Sequence, residues 1–315
     1  LLMISGFMVY LQIMCRLIDD IAAFLKENGF ECSRQIRDDY DVIAAKTADG
    51  GDARIILPLE IKASSAGEAR FISMGTECCI SFIASSEGYP LIITEDRWNS
   101  QRNMMQKRLM AHLELFSQAY ARNCEVRRID KAEAKAFLSE NHSYGYAACR
   151  YCYGLFLKRQ TGHIAEEGPD SNIGKLIAVA TFSNARKWIK AGKEIRSYEW
   201  TRYASLPDMR VSGGMGKLLK AFIKDVQPDD IMSYADLEWS EGKVYETLGF
   251  EEEGIKEPVT FVVDGETWKR FPVRSGMTEV RSDMAGHNNI DGTYGNLFFR
   301  NFGSRKFRLK LTEYK

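Results

Sequence analysis

The sequence predicts an α/β (α+β) protein in two parts, a smaller α/β unit followed by a larger mixed sheet flanked by helices. Three observations carry this. The length of 315 residues exceeds one ordinary domain of about 100–200 residues. Short Val/Ile-rich runs alternate with stretches of helical periodicity. A glycine-rich turn at 213–216 joins the end of a strand to an amphipathic helix.

The first unit opens with a helix from Cys15 to Gly29. Its apolar face is Leu17, Ile18, Ile21, Phe24 and Leu25, and Asn28-Gly29 is its stop signal. Strands follow at Asp41–Lys46 and Arg54–Ala63, separated by the turn Asp49-Gly50-Gly51-Asp52. Cys78–Ala84 reads equally as helix or buried strand. Pro90–Thr94 is a short buried strand, and Ser100–Phe116 a helix with Ser100 as its N-cap. The second unit begins with strand Glu125–Ile129 and helix Lys131–Asn141. Strands at Tyr151–Lys158, Lys175–Phe182 and Arg196–Ala204 lead to the glycine turn and helix Lys217–Val226. Strand Asp230–Ala235, helix Glu241–Leu248 and a strand pair around Val259–Arg270 complete it. Residues 276–315 read as a loop-rich extension closing in a basic hairpin through Asn301–Ser304. The expected division is therefore 14–123, 124–275 and 276–315, with 1–13 a non-native upstream start.

Composition narrows the function classes. With 45% hydrophobic and 27% charged residues, the chain is neither disordered nor collagenous. Lys+Arg and Asp+Glu both total 43, so no global field draws it to nucleic acid or membrane. The charge is nonetheless segregated: residues 217–257 hold 5 basic against 11 acidic residues, and the last 16 hold 6 against one. Seven cysteines without a secretory signal imply reduced thiols in a cytoplasm. Cys149-x-x-Cys152 joins His142 and His163 as a zinc option, or is inert. The apolar first residues are too short to span a bilayer, so no membrane partner is expected.

The glycine turn, Arg210-Val211-Ser212-Gly213-Gly214-Met215-Gly216-Lys217, offers free amides and a helix dipole to a pyrophosphate. It is neither a Walker loop nor a Rossmann fingerprint, and a plain helix-start turn fits the same residues. Tyr245 lies on a short helix facing back toward the turn, where its phenol suits proton donation to a thiolate, or packing in the core.

The order of elements, with GGMGKLL (213–219) and YETLGF (245–250), resembles the GNAT acyltransferase superfamily. That resemblance implies that residues 210–217 hold the pyrophosphate of acetyl-CoA or another acyl-CoA. It also implies that the pantetheine arm pairs with Arg196–Ala204 and that Tyr245 acts as general acid. Val211 stands where Gln or Arg is usual in the motif, and Arg210 is one residue out of register. Trp239-Ser240 replaces the Asn that often opens the next helix. ENHSYG (140–145), YGLFL (153–157), LIAVATFSNAR (176–186), YEWTRYAS (198–205) and IMSYAD (231–236) further resemble a phage and mobile-element branch, similar to Mom-type DNA-modifying proteins and to C-terminal domains of some phage homing endonucleases. This covers residues 124–310 and implies DNA as a partner or substrate, or else a protein acceptor. Asp236 is a candidate base or orienting carboxylate, with Trp239 beside it, or else a charge at a helix start.

In the first unit, Asp41 on one strand and Glu60-Ile61-Lys62 on the next resemble the D…E-x-K site of PD-(D/E)xK nucleases. ITEDRW (93–98) is similar to very-short-patch-repair endonucleases. The resemblance implies Mg²⁺ on Asp41 and Glu60, with Lys62 polarising water. The Pro usual before Asp41 is absent, and a surface hairpin fits the same pattern. Basic residues at the junction (Arg97, Arg102, Lys107, Arg108, Arg122, Arg127 and Arg128) read as phosphate contacts or as a solvated face. The function expected is an acyl-CoA-dependent N-acyltransferase. The alternatives are a metal-dependent DNA endonuclease carrying a GNAT-like accessory unit, and a binding protein with neither activity.

Overall fold

The computed structural model describes residues 16–159, 173–190, 192–273 and 297–314. The proposed upstream start at 1–13 and His163 lie outside them. The chain opens with α1 (Arg16–Glu27) and an antiparallel meander of β1 (Cys32–Arg37), β2 (Tyr40–Ala45) and β3 (Arg54–Leu59). Helix α2 (Ala66–Ser86) crosses over to β4 (Leu91–Thr94), which runs parallel to β3. Ser65 starts α2 by accepting the Glu68 amide, so Cys78–Ala84 is helix rather than strand. Helices α3 (Glu95–Ser100) and α4 (Arg102–His112) replace the single expected helix. Ser100 does not cap: its hydroxyl donates to the Asp96 carbonyl one turn back, closing α3.

Next come β5 (Ser117–Tyr120), β6 (Cys124–Arg128), α5 (Lys131–Asn141), β7 (Tyr151–Leu157), β8 (Leu176–Phe182), β9 (Arg186–Lys190), β10 (Lys193–Ser205) and β11 (Met209–Ser212). Helix α6 (Gly214–Val226), β12 (Asp230–Asp236), α7 (Lys243–Thr247) and β13 (Glu251–Lys256) follow. The described chain ends with β14 (Thr260–Val263), β15 (Arg270–Pro272), β16 (Leu297–Arg300) and β17 (Ser304–Lys310).

These elements form two interleaved units. The first takes residues up to Glu114, then Leu237–Ser240 and Glu257–Gly303; the second takes Leu115–Asp236, Glu241–Lys256 and Ser304 onward. The first boundary thus falls at 114/115 rather than 123/124. The C-terminal stretch is no separate extension, because β16 pairs with β14 in the first unit while β17 joins the sheet of the second. The expected hairpin at Asn301–Ser304 is a crossing from one sheet to another.

In the first unit, alternation along β2 sends Ile43 and Ala45 to one face, packed with Leu17, Ile21 and Leu25 of α1 and Leu109 of α4. Val42 and Ala44 go to the other face, against Cys79, Ile80 and Ile83 of α2 and Phe299 of β16. The second unit is built on a mixed sheet in the order β13-β17-β12-β10-β8-β7-β6, with β9 paired to β10. Only β10 and β12 run parallel within it, among the described residues. Helix α6 covers one face, where Phe222 stacks on Phe182 at 3.8 Å between centroids. Ala134, Phe137 and Leu138 of α5 cover the other, against Cys152, Val179 and Ala204. Among the described residues, no helix is long and apolar enough to cross a membrane.

A buried charge network ties together the separated pieces of the first unit. Arg270 donates to Asp96 (2.9 Å from its Nη2), to both oxygens of Glu238 (2.7 and 3.0 Å) and to the Thr94 hydroxyl (2.9 Å). Arg97 adds a second cation on Glu238 at 3.3 Å. The side chains of Asp96 and Glu238 are each 2% exposed. Burial alone raises the Glu238 carboxyl, but Arg270 and then Arg97 hold it down at about 2.

Removing Arg270 should take its cation from the buried Asp96 and leave Glu238 with Arg97 alone. Arg270→Ala is expected to cost about 3–5 kcal/mol in chemical denaturation. The depressed Glu238 pKa stabilises the fold fully above the ordinary carboxylate range, and that contribution is lost as pH falls from there through about 2. Hydrogen-exchange protection relative to the intrinsic rate should therefore fall across residues 91–113 between pH 4.5 and 2, and Glu238→Gln should flatten that dependence.

Candidate functional site

The site in the second unit starts from a ladder that stops early. Parallel pairing of β10 with β12 covers only Ser197–Glu199 against Asp230–Met232. Both strands run on, β10 to Ser205 and β12 to Asp236. A bulge between Trp200 and Arg202 shifts the pairing of β10 with β8 where the β12 ladder ends. Below the parting, the closed end is bolted: the buried Asp230 carboxylate accepts from Ser197, from Arg308 (2.7 Å) and from the Tyr314 hydroxyl.

Tyr245 stands at the point of parting. Its hydroxyl lies 2.9 Å from the Ser233 hydroxyl, which is 3.1 Å from the Trp200 carbonyl. Ser233 is the first β12 residue beyond the ladder, and Trp200 the first of β10. The Tyr245 ring is held by stacking on Phe307 and by edge contacts with Trp200 and Phe250. Burial pushes the phenol above the usual tyrosine range, and its hydrogen bond with Ser233 partly offsets this. The hydroxyl therefore keeps its proton at neutral pH.

The glycine turn bridges the two walls of this opening. Gly213 is the N-cap of α6 with φ +76°, a left-handed conformation that favours glycine, and no side chain caps the helix. The first-turn amides thus lack side-chain acceptors, as an anion site requires. A Cβ on Gly214 would meet Val211 at 2.9 Å and the Tyr203 hydroxyl of β10 at 3.2 Å; one on Gly216 would meet Leu248, just past α7, at 3.2 Å. Glycine here lets α6 approach both β10 and α7.

The other residues of the turn divide by role. Ser212 and Gly213 are exposed, and Met215 is half-buried. Val211 packs inward against the core, and Arg210 lies over the Phe116 ring at 5.2 Å. Lys217 is engaged by the fold, its amine donating to the carbonyls of Ala121 (2.8 Å) and Cys124 (2.6 Å). Asp236 ends β12 opposite Ser304. Strand alternation puts it on the face opposite Ser233, away from the Tyr245 hydroxyl. Trp239 belongs to the first unit, where Arg108 stacks on its ring at 3.8 Å.

Ser233 and Asp230 are the members that sequence reading missed. The alternation of IMSYAD carries the signal: Ser233 shares a strand face with Ile231 and Ala235, where a buried hydroxyl needs a partner.

In the first unit, Asp41, Glu60 and Lys62 line one cavity of about 240 Å³, together with Asp39, Tyr40 and Arg300. Arg34 grips Asp41 through two hydrogen bonds (3.0 and 2.8 Å) and holds its carboxyl below the usual range, with Lys62 assisting. Lys62 pairs with Glu60 at 2.7 Å. Glu95 accepts the Ile61 amide beside them, and burial raises its carboxyl. Among the described residues no group of three or more His, Cys, Asp or Glu is arranged to hold a metal. Cys149 and Cys152 are buried free thiols with sulfurs 3.4 Å apart, while His142 Nδ1 accepts the Tyr144 amide.

No family model and no curated protein matches the chain. Solved structures similar to it include Eis1 from Mycobacterium abscessus, at 16% identity over 45% of this chain and 34% of that one, with a TM-score of 0.30. Another is a conserved protein of unknown function from Enterococcus faecalis V583, a probable N-acyltransferase, at 13% identity over 46% of this chain and 36% of that one, again with a TM-score of 0.30. The chain spans about a third of the length of these two proteins.

Proposed function

We propose that the second unit transfers an acyl group from an acyl-CoA thioester to a nitrogen nucleophile. The observation that carries this reading is the parting of β10 from β12 with the Tyr245 hydroxyl at its apex. A thioester arm lying along the free edge of β10 would bring its sulfur toward that hydroxyl. The turn at Ser212–Gly216 supports the same reading, because its amides lie beside the parted half of β10 and would meet a pyrophosphate. In this mechanism the nucleophile's lone pair attacks the thioester carbonyl, and the carbonyl π electrons move to oxygen. Collapse re-forms the carbonyl and breaks the C–S bond; the nitrogen gives its proton to water, the thiolate takes one from Tyr245, and water returns a proton to the phenolate. Asp236, on the opposite face of β12, is the carboxylate on the nucleophile's side. DNA bases and protein amines are both acceptors of the right chemistry, in the phage or mobile-element setting that the sequence motifs suggest.

A second reading applies to the first unit, favoured by the single cavity that gathers Asp41, Glu60 and Lys62. The order α1-β1-β2-β3-α2-β4, with β4 parallel to β3, supports the nuclease resemblance. Two carboxylates suit Mg²⁺, which keeps several waters of its own; Asp41 would have to exchange Arg34 for the cation. Such a site would cut a phosphodiester, with Lys62 orienting the water.

Three measurements separate these readings. Calorimetry should show acetyl-CoA binding, and Ser212→Asp should weaken it at least tenfold, about 1.4 kcal/mol. The same carboxylate near a helix N-terminus should leave stability unchanged or slightly raised; absence of binding at millimolar acetyl-CoA ends the transferase reading. Tyr245→Phe keeps the ring stack and should lower kcat by about 10²–10⁴-fold. A loss below threefold assigns the phenol to packing. Mg²⁺ or Mn²⁺ should raise the melting temperature and support DNA cleavage, with both effects absent in Asp41→Asn. If the wild-type protein shows neither, the cavity is no nuclease site.

A further inference from the structure

The second unit carries a basic ribbon that acyl transfer does not use. Strands β9 and β10 pair from Ser197↔Arg186 to Lys193↔Lys190, so the ribbon closes on two facing lysines. Between Arg186 and Arg196 the sequence holds five Lys/Arg and one acid, in a chain whose totals balance at 43 each. Among these strands the ribbon also displays large apolar groups: Trp188 is 51% exposed and Ile189 73%. Apolar surface left in water is unfavourable unless something covers it.

The pairings sort the charges. Lys187 is held across the ribbon by Glu194 at 3.0 Å, and Arg196 by Asp229. Arg186 and Lys193 are exposed. Arg186 and Trp188 alternate onto one face of β9, about 6.8 Å apart along the strand. Across from them lie Ser197 and Ile195, with Lys193 next toward the closed end. An aromatic ring is thus flanked on its own face by cations on either side.

We propose that this ribbon binds an unpaired nucleic-acid strand, with a base stacked on Trp188 and the adjoining phosphates on Arg186 and Lys193. Charge complementarity selects a polyanion. The distribution of apolar groups then selects among polyanions. A bilayer anchor leads with its apolar residues, whereas here the exposed Lys193 stands toward the closed end and the apolar groups lie along the sides. An exposed indole between cations matches sequence-tolerant base stacking. The inference is independent of acyl transfer and of the first-unit cavity.

Fluorescence anisotropy with a labelled twenty-nucleotide oligo(dT), a labelled twenty-base-pair duplex and flotation with phosphatidylserine-containing vesicles tests it. The full chain should bind oligo(dT) at low salt, and affinity should fall as salt rises. Trp188→Ala should weaken binding at least fivefold, and Arg186→Glu with Lys193→Glu should weaken it and flatten the salt dependence. The wild-type melting temperature should be retained in each, since these side chains are exposed. No binding of oligo(dT), equal binding by Trp188→Ala, or binding to vesicles or duplex in preference to oligo(dT) overturns the proposal.

Discussion

Asp230 is the constraint on which the second unit is arranged. Its carboxylate is buried and takes hydrogens from β10, from β17 and from the segment beyond β17. A buried carboxylate without such partners is prohibitively unfavourable, so these strands cannot slide past one another. A slip of one residue would turn Asp230 to the opposite face and strand its charge. With one end fixed, the bulge at Trp200–Arg202 redirects β10 while β12 continues along β17. The opening is therefore a product of a bolt and a bulge, and Ser233 and Tyr245 sit where the two strands first separate.

The first unit reaches a similar end with a different device. Its pieces come from three regions of sequence, and apolar packing specifies poorly which piece belongs where. The Arg270–Asp96–Glu238–Arg97 cluster specifies it, because each charge is acceptable in the interior only beside the others. The short segment Leu237–Ser240 is held further by Tyr89 donating to the Leu237 carbonyl and by Arg108 donating to those of Glu238 and Trp239. Trp239 owes its position in this unit to these bonds.

Period-two and helical patterns made most of the two larger sheets legible, including β2, β3, β7, β8, β10 and β12, and the glycine turn marked the start of α6. The strands that escaped reading lack that pattern. β1 is CSRQIR, nearly all polar and half-exposed, and exists because β2 supplies its ladder. β5 and β11 form a two-stranded pair with no shared apolar period. The break between α3 and α4 was invisible because Gln101 is an unremarkable residue for a helix. Tyr245 and the glycines could be proposed from the sequence because their signal is local. Asp230 and Arg270 could not, because a buried ion pair announces itself only when distant segments meet. Lys217 shows the opposite error: a lysine beside a glycine turn suits an anion, but two backbone carbonyls already occupy it.

The interleaving also bears on synthesis. β17 lies between β12 and β13 in the sheet although it follows both in sequence, with β14, β15 and β16 made in between and given to the other unit. Until β17 has been made, β13 lacks the strand it pairs with and β12 is without its neighbour on that side. The carboxylate of Asp230 waits for Arg308 throughout that interval. Neither unit can be released as an independent fragment by a single cut, and the sheet of the second unit is complete only once β17 has been made.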